Sequence, residues 1–350
     1  MKNFKVADFL KSLSDRVRWK KLSFGRKLYY GIFAVFIVLA IHFIFSRSGT
    51  IKESLLTLQS IRPLYIFLAL ASQVISYLGS GYIVYAMLKS FSEEIPLYLA
   101  ASYEVASESV GVMAGGVIMT AASMYHFLSS YGVDKKAAAV VGWAADIANL
   151  ISHTILSIIG LAFLVGIHSV TSSIFLQVGG AIFVVVVSVS GFVWFFSKRE
   201  RVDSFSFSVL PFINYFLENP IKKEKFITFV DSMYEWWHQS SYGDWLSVSL
   251  GEVVNVFFDL VTIYVLAFAI EISIPLGLLV AGYAIPFLAG KIIPGGFGII
   301  EGSMVTIYLL GGVPGAAAAF LVFGFRLFSL WIPLFIGITF ATKFGWSSIS

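Results

Sequence analysis

IPGGFGIIEGSMVTIYLLGGV, residues 293–313, decides how this chain is read. The stretch is strongly apolar, yet it holds a Pro-Gly-Gly break at Pro294–Gly296, a third glycine at Gly298 and an acid at Glu301. Glycine and proline in an apolar helix free backbone groups that lipid cannot satisfy. Such a break persists in a membrane only where protein or a water-filled cavity covers it. An ionisable residue beside the break is costly in hydrocarbon and points to function. A broken helix with a buried acid is one way a transporter builds a substrate site near the bilayer midplane.

The rest of the chain agrees with a membrane setting. Of its 350 residues, 58% are hydrophobic and 13% are charged, against about 25% charged in average soluble chains. A soluble core could not hide this much apolar surface, which predicts an all-α polytopic membrane protein. There is no cysteine, which excludes a disulfide framework, a thiolate metal site and a cysteine nucleophile. His42, His126, His153, His168 and His238 show no zinc-ligand spacing, and no GxxxxGK[ST] motif for nucleoside triphosphates occurs. Neither a metal nor a cofactor is expected.

Basic residues orient the chain. Nine Lys or Arg fall within residues 1–30, and Lys198, Arg199, Arg201, Lys222, Lys223 and Lys225 form a second group. Both read as a positive-inside signal rather than as nucleic-acid patches, so no nucleic-acid partner is expected. Residues 1–28 form a basic amphipathic N-terminal segment. Apolar runs long enough to span a bilayer occur at about 29–46, 63–88, 136–166, 172–197, 245–270 and 314–342. Two more, 95–131 and 274–311, are interrupted by Gly115-Gly116 and Gly295-Gly296. Reading each as a re-entrant hairpin keeps 198–225 on the basic, cytoplasmic side; a single crossing of 95–131 would place it outside. The expectation is six spanning helices and two re-entrant helical hairpins in the cell membrane, with both termini cytoplasmic. The first half is 29–197, a cytoplasmic linker follows at 198–243, and the second half is 244–350. In the linker, Phe226, Phe229, Val230, Met233 and Trp237 share one helical face, which predicts an interfacial helix.

The two halves are similar to each other. At a shift of 180, residues 114–150 align without a gap on 294–330, with ten identities that include Gly115/Gly295, Gly116/Gly296, Gly132/Gly312 and Val133/Val313. In this topology one copy opens from inside and the other from outside, an inverted repeat of the kind secondary transporters use.

The charged residues inside the apolar runs are the candidate site. Amides at a helix start after Gly295, Gly296 and Gly298 would suit an anion such as a lipid phosphate, and Gly115 and Gly116 would do the same in the first half. Glu301 is either a capping acid or a group that titrates or contacts a headgroup. Arg326 lies mid-helix, too deep to snorkel. Its possible partners are Glu301, Asp146 at the repeat-equivalent position, and a substrate phosphate. Lys291 precedes the second break and faces either the same cavity or an interface. Glu104 and Glu108 share a helical face, as do Glu252 and Asp259. With Asp146 they are the candidates for coupling to protons or ions. His126 and His153 read as core residues.

PGGFGIIEG (294–302), LLGGVPGAAAAF (309–320) and FRLFSLWIPLFIG (325–337) together resemble the C-terminal signature of the flippase-like family, which is related to the transmembrane domain of lysyl-phosphatidylglycerol synthase. Gly295, Gly296, Gly298, Glu301, Val313 and Arg326 match its pattern. The first half, with MAGGVIMTAASMYHF at 113–127, lacks the charged group that members carry after the first break. The resemblance implies movement of a phospholipid or a polyprenyl-linked lipid between leaflets. The chain ends soon after its last apolar run, so no soluble aminoacyl-transfer domain is expected. The leading expectation is thus a flippase for an anionic phospholipid or polyprenyl phosphate, with membrane lipids as its partners and no enzyme activity. The alternatives are a permease for a small anionic solute, a membrane-embedded headgroup transferase and a non-transporting membrane subunit.

Overall fold

The computed structural model describes residues 61–114, 116–167, 197–202, 222–290 and 298–344, with a few positions between 180 and 194. Among these, every regular element is a helix. They are α1 (Pro63–Ser90), α2 (Leu97–Ala114), α3 (Val117–Tyr131), α4 (Lys135–Ile167), α5 (Lys223–Gln239), α6 (Tyr242–Ala269), α7 (Leu276–Gly290), α8 (Ile299–Leu310), α9 (Gly315–Arg326) and α10 (Ile332–Lys343). A π-helical turn, Leu327–Trp331, joins α9 to α10. The predicted spans 29–46 and nearly all of 172–197, and the N-terminal segment 1–28, lie outside the described residues.

Four helices are long and apolar enough to cross a membrane: Pro63–Ser90, Lys135–Leu164, Tyr242–Ala269 and Gly315–Lys343. They correspond to four of the six predicted spans. Their packing is the reverse of a soluble protein's. On α6, Leu246, Leu250, Val253, Phe257, Tyr264 and Phe268 are exposed, at the three-, four- and seven-residue spacings of one helical stripe. The opposite face buries Glu252, Asn255, Asp259 and Thr262. On α1, Leu64, Phe67, Leu70, Val74 and Leu78 face outward while Ser72, Gln73, Ser76 and Ser80 are buried. A continuous exposed apolar face of this size requires a non-aqueous surrounding.

The polar faces of α1 and α6 pack on each other over most of their length. The contact depends on small residues: a Cβ placed on Gly79 would sit 2.7 Å from the Asn255 nitrogen and 2.8 Å from the Gly251 carbonyl oxygen. Backbone atoms cannot yield, so the two helices approach as closely as they do only because these residues are glycine.

The interrupted stretches each form two helices packed side by side, α2 with α3 and α7 with α8. Two longer contacts cross between the halves, α4 against α7 and α10 against α2. The turns also correspond. α3 ends with Gly132 at φ +109, with the Val133 amide donating to the Leu128 carbonyl. α8 ends with Gly312 at φ +83, with the Val313 amide donating to the Tyr308 carbonyl. These are the same left-handed helix stop at residues 180 apart. The ends of α1 and α6 repeat it with Ser92 and Glu271, both at φ +59.

One expectation needs correction, and the linker helix gains detail. The run 314–342 is not one regular helix, since the π-helical turn widens it at Leu327–Trp331. In the linker, Val230 packs against Val202 with Phe226, Met233, Tyr234 and Trp237 around them, and the Trp236 indole donates to Ser90 Oγ at 3.0 Å. Part of its apolar face is thus packed on protein, with Phe226, Met233 and Trp237 half-buried.

Candidate functional site

Every described helix except α5 contributes to one cavity of about 370 Å³, within the size range of small-ligand sites. Its wall includes Glu104 and Glu108 from α2, Asp146 from α4, and Glu252 and Asp259 from α6. All five acids named from the sequence as coupling candidates thus meet in one place. Arg326 from α9 and Gly116 from the first break line the same cavity. Lys291, Gly295, Gly296 and Gly115 lie outside the described residues.

The cationic part of the wall is built from the second break. Gly298 precedes α8 with φ +78, a conformation that a Cβ disfavours. The resulting turn lets Glu301, three residues on, reach back so that the Gly298 amide donates to its Oε2 at 2.7 Å, the carboxylate half of a capping box. The other oxygen, Oε1, accepts from Arg326 Nε at 2.6 Å. Glu301 is therefore a capping acid and an ion-pair partner at once. Both residues are buried, at 8% and 4% exposure. Arg326 engages Glu301, and this settles the choice of protein partner that the sequence left open between Glu301 and Asp146.

The pair uses only one of the three guanidinium nitrogens. Among the described residues the two η nitrogens have no hydrogen-bond partner, while Arg326 Cζ lies 5.8 Å from the centre of the Phe287 ring. A guanidinium presents its donors in a rigid planar fork. With Nε fixed by a carboxylate, the η side is pre-oriented for an anion. The π-helical turn that follows Arg326 places Ser329, whose hydroxyl has no partner among the described residues, on the same cavity wall. Such turns often occur at functional positions because they displace the residues after them from the regular helical path. The Tyr77 hydroxyl donates to the Ser329 carbonyl at 2.9 Å, tying the turn to α1.

Asp259 is held differently. Its Oδ1 accepts from Gln73 Nε2 at 2.9 Å and Ser76 Oγ at 2.7 Å, and its Oδ2 from Tyr283 at 2.7 Å. Asn255 adds a bond to Ser76 Oγ at 2.9 Å. Three neutral donors thus satisfy a buried carboxylate, which is what keeps such a group tolerable away from water. Glu252 accepts from Ser152 Oγ. His153 is buried with its ring against Tyr283 and Phe287. Its Nδ1 lies 2.8 Å from the Asn149 carbonyl, which can only accept, so Nδ1 carries a proton. The core role expected for His153 fits this packing.

Gln73, Ser76, Tyr77, Asn149, Asn255, Tyr283 and Ser329 belong to the wall and were not singled out from the sequence. A signal was available for some. Gln73, Ser76 and Ser80 recur at three and four residues in an apolar run, as do Glu252, Asn255 and Asp259.

The model of the lysylphosphatidylglycerol synthase TM region matches residues 30–337. The chain belongs to this family. Membership confirms the relation indicated by the Gly-Gly-x-Gly-x-x-Glu motif and Arg326, and with the four spans it makes the chain a multi-pass membrane protein with a role connected to membrane lipids. No curated protein matches the chain.

Proposed function

We propose that this protein moves a lipid between leaflets by passing its polar headgroup through the central cavity while the acyl or prenyl tails stay in the bilayer. The observation that carries the reading is Arg326 on the cavity wall, anchored by Glu301 through Nε, with both η nitrogens without a hydrogen-bond partner among the described residues. Arg in this geometry suits bidentate contact with a phosphate oxygen pair. The substrate is a phospholipid or polyprenyl phosphate, and the chain acts as a transporter rather than an enzyme. The five wall carboxylates supply groups that exchange protons during the cycle.

The architecture of this reading is an inverted repeat in the cell membrane, with α2–α3 and α7–α8 as re-entrant hairpins and both termini cytoplasmic. The reciprocal contacts of α4 with α7 and α10 with α2 support it, as do the matching left-handed stops at Gly132 and Gly312.

The test is leaflet exchange of headgroup-labelled lipids in proteoliposomes, comparing wild type with Arg326→Ala and Glu301→Gln after a check of folding. Wild-type exchange that collapses in both variants supports the reading. An absence of exchange for every phospholipid and polyprenyl phosphate, with and without a proton gradient, overturns it.

A further inference from the structure

Arg326 and Ser329 put hydrogen-bond donors on the cavity wall, and beside its five carboxylates Gln73 adds a neutral acceptor. Gln73 is buried in α1 at 2% exposure and forms part of the wall. The orientation of its amide is fixed by chemistry. Nε2 donates to Asp259 Oδ1 and to Thr262 Oγ1, both at 2.9 Å. The Thr262 hydroxyl already donates to the Phe258 carbonyl, and the neighbouring Asp259 oxygen accepts from Ser76 as well. Both positions beside Nε2 therefore require a donor, so the amide cannot flip. The opposite lobe, Oε1, is left without a hydrogen-bond partner among the described residues. A buried carbonyl held in one orientation and left unpaired is unfavourable in the empty protein, and it calls for a donor on a ligand.

We propose that Gln73 reads the substrate headgroup: Oε1 accepts a hydrogen bond from an N–H or O–H group on the substituent beyond the phosphate. The proposal rests on the transport reading above and sharpens it. The substrate is then a phosphodiester bearing a hydroxyl or ammonium donor. A lipid ending in a bare phosphate occupies the Arg326 and Ser329 donors and leaves Gln73 unpaired. Thr262 acts as a positioning residue, since it lies outside the wall and touches the ligand only through the Gln73 amide.

Two lipid pairs isolate the donor. Phosphatidylglycerol and phosphatidylmethanol share the anionic phosphodiester and differ in the hydroxyls. Phosphatidylethanolamine and phosphatidylcholine share the charged nitrogen and differ in its N–H groups. Short-chain forms of all four, with a prenyl monophosphate, are titrated calorimetrically into the full chain in detergent. At least one donor-bearing member is expected to bind about 10-fold tighter than its partner, because a site built to pair a donor rejects the analogue lacking it. Preference in the glycerol pair alone assigns a hydroxyl, and preference in the ethanolamine pair alone assigns an ammonium.

In Gln73→Met the preference is expected to fall within about twofold, through weaker binding of the donor-bearing member alone, since the Gln73 carbonyl is gone while the wall carboxylates, present in both proteins, do not separate the members of a pair. Thr262→Val should lower the preference part of the way, and it keeps the test open if Gln73→Met fails to fold. Equal binding within both pairs by wild type, or a preference that survives Gln73→Met, overturns the proposal. Leaflet exchange of the same lipids separates it from the reading beneath it. Selective binding without exchange overturns transport and leaves the role of Gln73 standing. Exchange without selectivity does the reverse. If none of the lipids binds, both fail.

Discussion

At Gly116 the backbone turns with φ +70 and ψ −150, and at Gly298 with φ +78 and ψ −35. Both residues open a helix after a break in apolar sequence, 182 positions apart, yet they hold different chemistry. The first turn is closed by backbone alone. The Gly116 amide donates to the Gly111 carbonyl at 2.6 Å, and the Met119 and Thr120 amides return to the Gly116 carbonyl. The third residue of the new helix is Met119, which brings no charge. In the second turn the corresponding residue is Glu301, and it ties the Gly298 amide to Arg326. A glycine break supplies a backbone path and nothing more; the charge three residues later turns it into a site. The first half contributes its acids one helix earlier, from Glu104 and Glu108 on α2.

The strongest way to break this comparison is to remove half of the buried pair. Arg326→Ala leaves the Glu301 carboxylate buried without its cation, and is expected to cost about 3–5 kcal/mol of stability. Replacing both residues with apolar ones of similar size, Glu301→Leu with Arg326→Met, should recover most of that loss. Leaflet exchange should remain absent in the double variant, which keeps the fold but not the guanidinium. Thermal unfolding and exchange, measured on the same preparations, check both points. Recovery of exchange in the double variant would make the pair purely structural.

The contrast between the two glycines predicts a split between stability and transport. Gly116 lies in a region of backbone space open almost only to glycine, so Gly116→Ala should cost about 1–3 kcal/mol. It should reduce exchange only as far as it reduces folded protein. Gly298→Ala is expected to cost a comparable or smaller amount of stability. Its effect on exchange should exceed its effect on folding, because moving the Gly298 amide moves Glu301 and with it Arg326. Equal ratios of exchange to folded protein in the two variants would erase the distinction drawn here.

The sequence revealed these charges readily and the neutral groups poorly. An acid or an arginine in hydrocarbon is rare, so Glu301, Arg326, Glu104, Glu108, Asp146, Glu252 and Asp259 were conspicuous. The residues that complete the wall are uncharged. Gln73, Ser76 and Asn255 carry a positional signal only once α1 and α6 are known to face each other, and Tyr283 on α7 resembles any interfacial aromatic. The π-helical turn was illegible because FRLFSLW contains neither glycine nor proline to mark it. The long-range partnership of Glu301 with Arg326, 25 residues apart, depends on α8 and α9 meeting at their buried faces. The four described spans were the easiest to read, since length and hydropathy alone set them.

Ser329 offers the mildest change and the finest distinction. Its hydroxyl has no partner among the described residues, so Ser329→Ala removes no protein hydrogen bond and should alter stability by less than about 0.5 kcal/mol. If the hydroxyl joins Arg326 as a donor to the anion, exchange should fall by roughly 2- to 10-fold, the value of one neutral hydrogen bond. The backbone of the turn is fixed separately, by the Tyr77 hydroxyl on the Ser329 carbonyl, so the side chain can be tested without disturbing the π-helical geometry. Tyr77→Phe does the opposite experiment, releasing the carbonyl while keeping the serine. Unchanged exchange in Ser329→Ala would show that the guanidinium meets the anion without the serine hydroxyl, and reduced exchange in Tyr77→Phe would then assign a role to the Tyr77 hydroxyl, which lines the cavity as well as holding the turn.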